Sequence, residues 1–353
     1  MGSIKNKFNI GGVFEYCKNS SVNKSLEKNF LNHIGNFSIN GRSSLLHILL
    51  ELKIQNIKKI YIPLFCCESI IITIKYSKIK YSFYSLDKKL NPIVKPEKDS
   101  ALLVINYFGR ESDMVKKYER NKNNNYFLIE DATHNFLSKN FNPTLKKHYV
   151  FFSLRKHSHI NMGGWSNTKK NLFKINKLHK DIFNESRKLK IQKKKLIDEN
   201  KYINKEDFFV NSFDRMEEKI SKIISNNKAP NALLKEIKNF PWVKSAEIRR
   251  KNWKVLDDLL KNKFKKIFDI NYRNEVPLGY VILVNDREKL RNYLKDKRIF
   301  TSIHWPIATK VNNKKFSFEK NISKQILTIP IDQRYKKTDM IYIASCLLNS
   351  GIK

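Results

Sequence analysis

The sequence predicts an α/β protein built on a mostly parallel β-sheet that is covered by helices. Short apolar runs alternate with helical or polar stretches from residue 59 onward, and this βαβ order is typical of parallel sheets. The run at residues 101–108 is apolar almost throughout, as expected for a strand buried on both faces. A chain of 353 residues has room for one large domain and a smaller one.

The strands of the main sheet fall in the N-terminal half of the chain. Each is a short apolar run bounded by polar residues or by proline, which is the pattern of a buried strand. They are predicted at residues 59–64, 79–84, 101–108, 126–129 and 149–154. Helices predicted at residues 67–75 and 113–122 would pack on the faces of this sheet.

A further helix is predicted after the Gly-containing turn at residues 40–42. Leucines recur at helical spacing from Leu45 to Leu52, and Ser43 or Ser44 would lie near the N-cap. The free backbone N–H groups at such a helix start are suited to binding a phosphate group.

The C-terminal half of the chain has a different composition and predicts a second α/β layer. Residues 171–239 are rich in Lys, Asn and Glu and predict helices with polar linkers, of which 191–207 is the most solvated piece. Beyond residue 277, strands and helices alternate again over a short length. We therefore predict a large domain at residues 1–245, including a polar N-terminal arm, and a smaller α/β domain at residues 246–353.

The charge is strongly positive. The chain has 70 Lys and Arg against 33 Asp and Glu, a formal net charge of +37. Such a balance is typical of proteins that bind polyanions. Here the basic residues are mostly lysines spread along the whole chain rather than gathered in one stripe, which favours a solvated lysine-rich surface and argues against a nucleic-acid partner. That surface would still attract an anionic substrate.

The cysteines predict no metal site. None of Cys17, Cys66, Cys67 and Cys346 belongs to a pair of CxxC motifs, so a zinc site is not expected. Free thiols fit a reducing compartment. The N-terminus has no apolar signal region, and no apolar run approaches the roughly 20 residues of a membrane-spanning helix. We expect a cytoplasmic protein.

Polar residues follow two neighbouring strands at the point where each strand ends. Asp131 and His134 come after the strand at 126–129, and Ser153 and Lys156 end the strand at 149–154. In parallel sheets, ligands bind at the carboxyl ends of the strands, so these side chains are expected to converge. A carboxylate beside a lysine is what a pyridoxal phosphate (PLP) site needs, because the carboxylate keeps the pyridine nitrogen protonated and the lysine forms the Schiff base.

The order of six motifs resembles the DegT/DnrJ/EryC1/StrS family of PLP-dependent sugar aminotransferases, which have the aspartate-aminotransferase fold (fold type I). The resemblance runs over nearly the whole chain. The motifs are residues 40–45 as a phosphate loop, 61–63 as a "VP" strand, 106–114 as a "YG…DM" turn, 130–134 as "EDAAH", 153–164 as the Ser, Lys and Gly-Gly segment, and 327–334 as "LSLP…QR".

The resemblance implies catalytic roles for three residues. Asp131 would pair with the pyridine nitrogen of PLP. His134 would lie near the cofactor ring. Lys156 would bond the cofactor and then move a proton between the amino donor and the cofactor, for which it must be a neutral amine. Burial and the adjacent cation Arg155 would lower its pKa.

The resemblance also implies residues that bind the cofactor. Gly41, Arg42 and Ser43 of the phosphate loop, together with Ser153, would hold the phosphate group. Tyr107 or the neighbouring Phe108 would flank the ring. The family forms homodimers with shared active sites, so a homodimer is expected.

Two departures from the family pattern leave other chemistry open. Ser153 and Lys156 are three residues apart, where the family has five, and Arg42 replaces a threonine. A histidine replaces the lysine in related sugar dehydratases, and His157 or His159 would then be the reactive residue. A member that has lost catalysis, or a basic protein that binds polyanions, is a further alternative.

Two other histidine patterns allow two interpretations each. His157 and His159 form an HxH pair, but no third metal ligand stands out, so no metal is expected. The segment 303–306, Ile-His-Trp-Pro, is either a structural corner or part of the acceptor site.

The resemblance implies that the protein moves an amino group from an amino acid, glutamate in the simplest case, to a keto sugar linked to a nucleotide. Surface polysaccharide and secondary-metabolite pathways both fit such a product. The sugar and the carbon that receives the amino group stay open.

Overall fold

The computed structural model describes residues 9–16, 36–121, 123–138, 146–168, 177–271, 273–307, 311 and 314–352. Cys17 and most of the predicted N-terminal arm lie outside these residues. None of the described helices is long and apolar enough to cross a membrane.

The main sheet has eight strands in the order β2-β9-β8-β7-β6-β3-β4-β5. Its five central strands are all parallel, and both edges are antiparallel. The predicted mostly parallel sheet is thereby confirmed. The strands are β2 Asn36–Ser38, β3 Lys59–Pro63, β4 Lys80–Leu86, β5 Pro92–Ile93, β6 Ala101–Ile105, β7 Phe127–Asp131, β8 His148–Ser153 and β9 Gly164–Ser166; β1 Ile10–Gly11 belongs elsewhere.

The five predicted strands lie within a few residues of the observed ones, with one clear difference. The third strand ends at Ile105, and a 3-10 turn follows at Tyr107–Gly109. Phe108 and Gly109 have φ angles of 56° and 107°, which an extended strand cannot accommodate. A side chain at Gly109 would also meet the carbonyl oxygen of Val276 at 2.4 Å, so the turn requires glycine here.

Ten helices are described. The first begins at Gly41. Its N-cap is Asn40, whose side chain accepts a hydrogen bond from the Ser43 N–H at 2.9 Å, so Ser43 lies near the N-cap as predicted. The helices are α1 Gly41–Ile54, α2 Glu68–Ser77, α3 Asp113–Arg120, α4 Lys177–Asp198, α5 Glu206–Ser221, α6 Asn231–Asn239, α7 Trp242–Leu260, α8 Arg287–Asp296, α9 Ser317–Gln325 and α10 Lys337–Asn349.

Three apolar cores are buried among these elements. Two of them pack against the main sheet. The third lies under a second sheet, where β10 Tyr280–Leu283 pairs antiparallel with β12 Ile326–Ile329. This core also contains Ile10, since β1 pairs with β11 Ile299–Phe300. The predicted division at residue 245 stays a prediction.

Two lysines differ from the prediction of a solvated lysine-rich surface. Lys190 and Lys193 lie on α4 and are 4% and 5% exposed. Lys193 falls within the piece predicted to be most solvated. Their positions on one face of the helix, three residues apart, turn both inward.

Candidate active site

Four predicted residues meet at the carboxyl end of the main sheet. Asp131 is the last residue of β7 and Ser153 the last of β8, while His134 and Lys156 follow three residues later. All four line a cavity of about 200 Å³, which we call the smaller cavity. Parallel neighbours bring their carboxyl ends to one edge, which is why residues distant in sequence converge here.

One end of the smaller cavity is formed by the start of α1. The Asn40 side chain already accepts a hydrogen bond from the Ser43 N–H. The N–H groups of the first turn that still lack a partner within the helix are therefore those of Gly41 and Arg42. A Cβ at Gly41 would lie 2.9 Å from the Ser153 Cβ. The glycine therefore keeps backbone N–H groups and the Ser153 side chain close together in the cavity wall.

The Ser43 hydroxyl is fully buried and has no hydrogen-bond partner among the described residues. A buried hydroxyl without a partner is costly, but Ser43 is not among the residues that line the smaller cavity. The side chain of Arg42 bonds the carbonyl oxygens of Ile220 and Ile223 on and after α5, so only the Arg42 backbone faces a phosphate role. The backbone N–H groups of Gly41 and Arg42 are available in the cavity wall, whereas the Ser43 N–H already bonds Asn40. Phosphate binding by this loop stays a prediction.

Asp131 is buried, and its Oδ1 accepts a hydrogen bond from the Thr133 N–H at 2.9 Å. Burial raises the pKa of Asp131 to about 6, although the Thr133 bonds and the nearby Lys156 favour the charged form. The carboxylate would be stabilised further by a cation placed in the cavity.

Lys156 lines both the smaller cavity and a larger neighbouring one. Burial lowers the pKa of Lys156, and the adjacent Arg155 lowers it further. A lysine in this environment gives up its proton more readily than one on the surface, as a base for proton transfer requires.

His134 is fully buried, and its Nδ1 accepts the N–H of Phe108 at 3.2 Å. Its ring stacks on Trp305, with ring centroids 5.2 Å apart. Burial and the nearby His304 lower the pKa of His134 well below its usual value, so the ring is neutral. Its Nε2 then carries the proton.

Tyr107 does not line the smaller cavity, which corrects its predicted place beside a cofactor ring. Its hydroxyl donates to the Phe65 carbonyl at 2.6 Å, and its ring stacks on Phe65 inside the core. Phe108 is likewise buried in the core. The early end of β6 turns both rings inward. Trp305, from the segment that allowed two interpretations, is an aromatic residue of the cavity wall, as is Phe151.

His157 and His159 lie outside the walls of both cavities. The His157 ring packs edge-on against Phe136, and its Nε2 bonds the Thr133 carbonyl at 3.1 Å. His159 packs against Tyr16 and Phe240. After the 3-10 turn at Leu154–Lys156, the direction of the chain therefore places the lysine side chain in the cavity walls and the two histidine side chains in the core.

The larger cavity has a volume of about 500 Å³ and lies on the other side of Lys156. Its walls come from the N-terminal segment, helices α4, α5 and α7, and the second sheet. Arg155, Lys156 and Glu217 line both cavities. Arg155 Nη2 and Glu217 Oε1 form an ion pair at 2.6 Å on this shared boundary.

Several wall residues were not predicted. Cys67, the N-cap of α2, lines the smaller cavity because it follows the carboxyl end of β3. The same position after a strand end would have identified it from sequence. No sequence signal marks Glu217, since it lies on an ordinary amphipathic helix far from any strand.

One cluster among the described residues has the ligand types and spacing of a metal site, namely Glu119, Glu130 and His148. It lies apart from both cavities. His148 Nε2 bonds the buried Glu130 Oε2 at 2.9 Å, so these two side chains already satisfy each other.

The residues of the smaller cavity fit PLP. The backbone N–H groups of Gly41 and Arg42, the space kept open by Gly41 and the Ser153 side chain suit its phosphate group. The buried Asp131 carboxylate suits a protonated pyridine nitrogen, and the half-buried Lys156 amine suits its aldehyde.

Comparison with solved structures gives the class of fold, that of the fold-type-I PLP-dependent aminotransferases. Spr1654 from Streptococcus pneumoniae, in a PLP-form, superposes with a TM-score of 0.64 at 10% identity over 97% of this chain and 98% of its own. A DegT DnrJ EryC1 StrS aminotransferase from Brucella abortus gives a TM-score of 0.61 at 13% identity over 92% and 88%.

A third neighbour has the same fold. It is the sugar aminotransferase CalS13 from Micromonospora echinospora, with a TM-score of 0.58 at 10% identity over 95% of this chain and 99% of its own. The predicted aspartate-aminotransferase-like fold is confirmed. Neither the known protein-family models nor the curated proteins match the sequence.

Proposed function

We propose that this protein is a PLP-dependent aminotransferase that moves an amino group from an amino acid to a keto sugar. The observation that carries the proposal is the position of Lys156. It is a half-buried amine that lines both the cavity fitted to PLP and a second cavity large enough for a substrate. A lysine at such a junction can bond a cofactor on one side and meet a substrate on the other.

The residues of the smaller cavity would share the binding of PLP. Gly41 and Arg42 would donate backbone N–H groups to its phosphate, with Ser43 and Ser153 donating hydroxyls. Asp131 would hold the pyridine nitrogen protonated, and the bound cofactor would then supply an electron sink. His134 and Trp305, stacked on each other, would form an aromatic wall of the cavity.

Lys156 would carry the proton that amino transfer must move at the carbon bearing the amino group. Its lowered pKa favours the neutral amine that accepts this proton, and it can return the proton on the cofactor side. The buried surroundings limit the access of water. Asp131 needs no proton transfer, because its role is electrostatic.

The substrate class rests on the sugar aminotransferases among the structural neighbours and on the larger cavity. A glutamate donor and a nucleotide-linked keto sugar are the finer proposal, for surface polysaccharide or secondary-metabolite synthesis. The basic walls of the larger cavity support an anionic substrate. A homodimer and a cytoplasmic location stay predictions that accompany this proposal.

The first test is the visible absorption spectrum of the purified protein with added PLP. Wild type is compared with Lys156→Ala and with Lys147→Ala, a control at the amino end of β8. We expect a band of lysine-bound cofactor that resists dialysis in wild type and Lys147→Ala and is absent from Lys156→Ala. Amino transfer from glutamate to keto sugars should be lost in Lys156→Ala alone.

The alternatives make different predictions for the same experiment. If Lys156→Ala keeps both the band and full activity, the assignment of the lysine is refuted. A dehydratase that uses His157 or His159 would bind PLP equally in wild type and in Lys156→Ala. It has less support, because neither histidine lines a cavity. A polyanion-binding protein would show no cofactor band and salt-sensitive binding to DNA.

A further inference from the structure

The larger cavity carries more positive than negative side chains. Its lining includes five cations and three carboxylates, namely Arg155, Lys156, Lys190, Arg249 and Arg334 against Asp214, Glu217 and Asp332. Two of the carboxylates are already paired. Glu217 bonds Arg155 at 2.6 Å, and Asp332 bonds Arg334 at 2.7 Å. Among the described residues, Lys156, Lys190 and Arg249 form no ion pair with a carboxylate.

Lys190 is the first of these cations. It is 4% exposed, and its Nζ donates to the His159 carbonyl oxygen at 2.6 Å. Within the part of the chain that the structure describes, no carboxylate lies at ion-pair distance from it. Burial lowers the pKa of Lys190 well below its usual value, and neighbouring cations lower it further. Glu15 favours the charged form of Lys190 from beyond ion-pair distance, so the neutral amine is favoured until an anion binds beside it.

Arg249 is the second. It is 1% exposed, with Nε donating to Gln333 Oε1 at 3.1 Å and Nη1 to the Leu278 carbonyl at 3.0 Å. Both acceptors are neutral, and no described residue accepts a hydrogen bond from Nη2. Burial also lowers the pKa of Arg249 to about 10. Asp332, which is bonded to Arg334, only partly offsets the charge of Arg249, and Arg249 keeps unused N–H donors in the cavity wall.

Lys193 shows what a structural lysine looks like on the same helix. It is as deeply buried as Lys190 and also donates to a carbonyl oxygen, that of Val13. Unlike Lys190, it lies 3.9 Å from a carboxylate, Glu15 Oε2, and it does not line the larger cavity. The two lysines therefore differ in their distance from Glu15, which forms an ion pair with Lys193 and acts on Lys190 only from farther away.

We propose that Lys190 and Arg249 form an anion subsite of the larger cavity, which binds a carboxylate or phosphate group of a substrate. Bound there, an oxyanion would neutralise the two buried cations and take up their free N–H donors. The inference rests on the proposed function only in calling the ligand a substrate, since the subsite itself is defined by the two side chains.

The test measures anion binding without PLP. Inorganic phosphate and glutarate are titrated separately into wild type, Lys190→Met, Arg249→Lys and Lys193→Met, and the dissociation constants are measured by calorimetry. We expect Lys190→Met to weaken the binding of one of the two anions at least tenfold. Arg249→Lys should weaken the same anion several-fold, because lysine keeps the charge but loses the planar fork. Lys193→Met should bind it as wild type does.

The two probes distinguish the sources of the anion. Weakening of phosphate alone assigns the subsite to a phosphorylated acceptor, and weakening of glutarate alone assigns it to the carboxylate of the amino donor. Unchanged binding of both anions in Lys190→Met and Arg249→Lys overturns the proposal. Equal losses in Lys190→Met and Lys193→Met also overturn it, because the effect would then come from removing any buried lysine.

The absorption spectrum of wild type with added PLP separates this proposal from the aminotransferase function. If one anion binds through Lys190 and Arg249 but no cofactor band appears in wild type, the function fails and the subsite stands. If the band appears and neither anion depends on Lys190 or Arg249, the subsite fails and the function stands.

Discussion

The two cavities that meet at Lys156 are built in different ways. The smaller one is formed mainly by residues at or just after the carboxyl ends of neighbouring parallel strands, such as Asp131 and Ser153. The larger one draws its walls from helices, the N-terminal segment and the second sheet, as Lys190, Arg249 and Arg334 illustrate. The smaller cavity combines one buried carboxylate with unpartnered donors, whereas the larger one gathers cations.

This difference separates a cofactor site from a substrate site in physical terms. A sheet edge places its residues rigidly, which suits a cofactor that is retained between turnovers. A wall built from several helices, loops and strands changes whenever the sequence of one of them changes, which suits substrate selection. Variants on either side of Lys156 should therefore have separable effects, and the following predictions test that separation.

The largest effect is expected for Asp131→Asn. Removing the buried carboxylate leaves a protonated pyridine nitrogen without its countercharge, which costs a few kcal/mol and weakens PLP binding about 100-fold. The measurement is the dissociation constant of PLP from a spectroscopic titration. Asp113→Asn, a surface carboxyl paired with Arg110, serves as control. An unchanged PLP affinity would contradict the role of Asp131.

Asp131→Asn should also stabilise the cofactor-free protein. Burial raises the folded-state pKa of Asp131 to about 6, above its unfolded value. Between these two pKa values the folded state binds more protons than the unfolded state, so wild type loses stability as pH rises from about 4 to about 6. We expect a gain on the order of 1–3 kcal/mol above that window and none below it.

Urea unfolding of the cofactor-free proteins at several pH values measures this gain. The asparagine can still accept the Thr133 N–H, so the fold loses no hydrogen bond. A difference between variant and wild type that does not change with pH would refute the raised pKa.

Two adjacent serines on α1 allow a matched comparison. Both are fully buried, but Ser43 has an unpartnered hydroxyl, whereas Ser44 shares a 2.6 Å hydrogen bond with Ser38. Ser43→Ala should weaken PLP binding about tenfold and leave the cofactor-free stability unchanged or higher. Ser44→Ala should cost about 1 kcal/mol of stability and leave PLP binding nearly unchanged. PLP titration and urea unfolding measure the two quantities, and a reversed pattern would exclude Ser43 from the cofactor site.

The smallest effect is expected at the boundary between the cavities. Arg155 lowers the pKa of Lys156, so Arg155→Gln should raise that pKa and leave less neutral amine at a given pH. The acidic limb of the pH–rate profile should move to higher pH. Arg187→Gln, which breaks an ion pair with Glu236, is the control. A limb that stays in place would show that burial alone tunes Lys156.

The main sheet and the core of the smaller cavity could be predicted because the signals are local. Asp131, Ser153 and Lys156 each follow a short apolar run, and parallel pairing then brings them together. The antiparallel edge strands β2 and β9 were not predicted, since three-residue strands such as Asn36–Ser38 have no recognisable alternation. The places of Tyr107 and Trp305 were also not predictable, because they depend on the early end of β6 and on packing between distant segments.

The sequence by itself determined the order of strands and helices, the polar residues at strand ends and the excess of positive charge. Only the tertiary structure decided which charges are buried and whether each has a countercharge. Lys190 and Lys193 are both lysines on one polar helix, and nothing in their sequence surroundings separates them. The Glu15 carboxylate, which is distant in sequence, lies beside one and not the other, and long-range packing alone sets that distance.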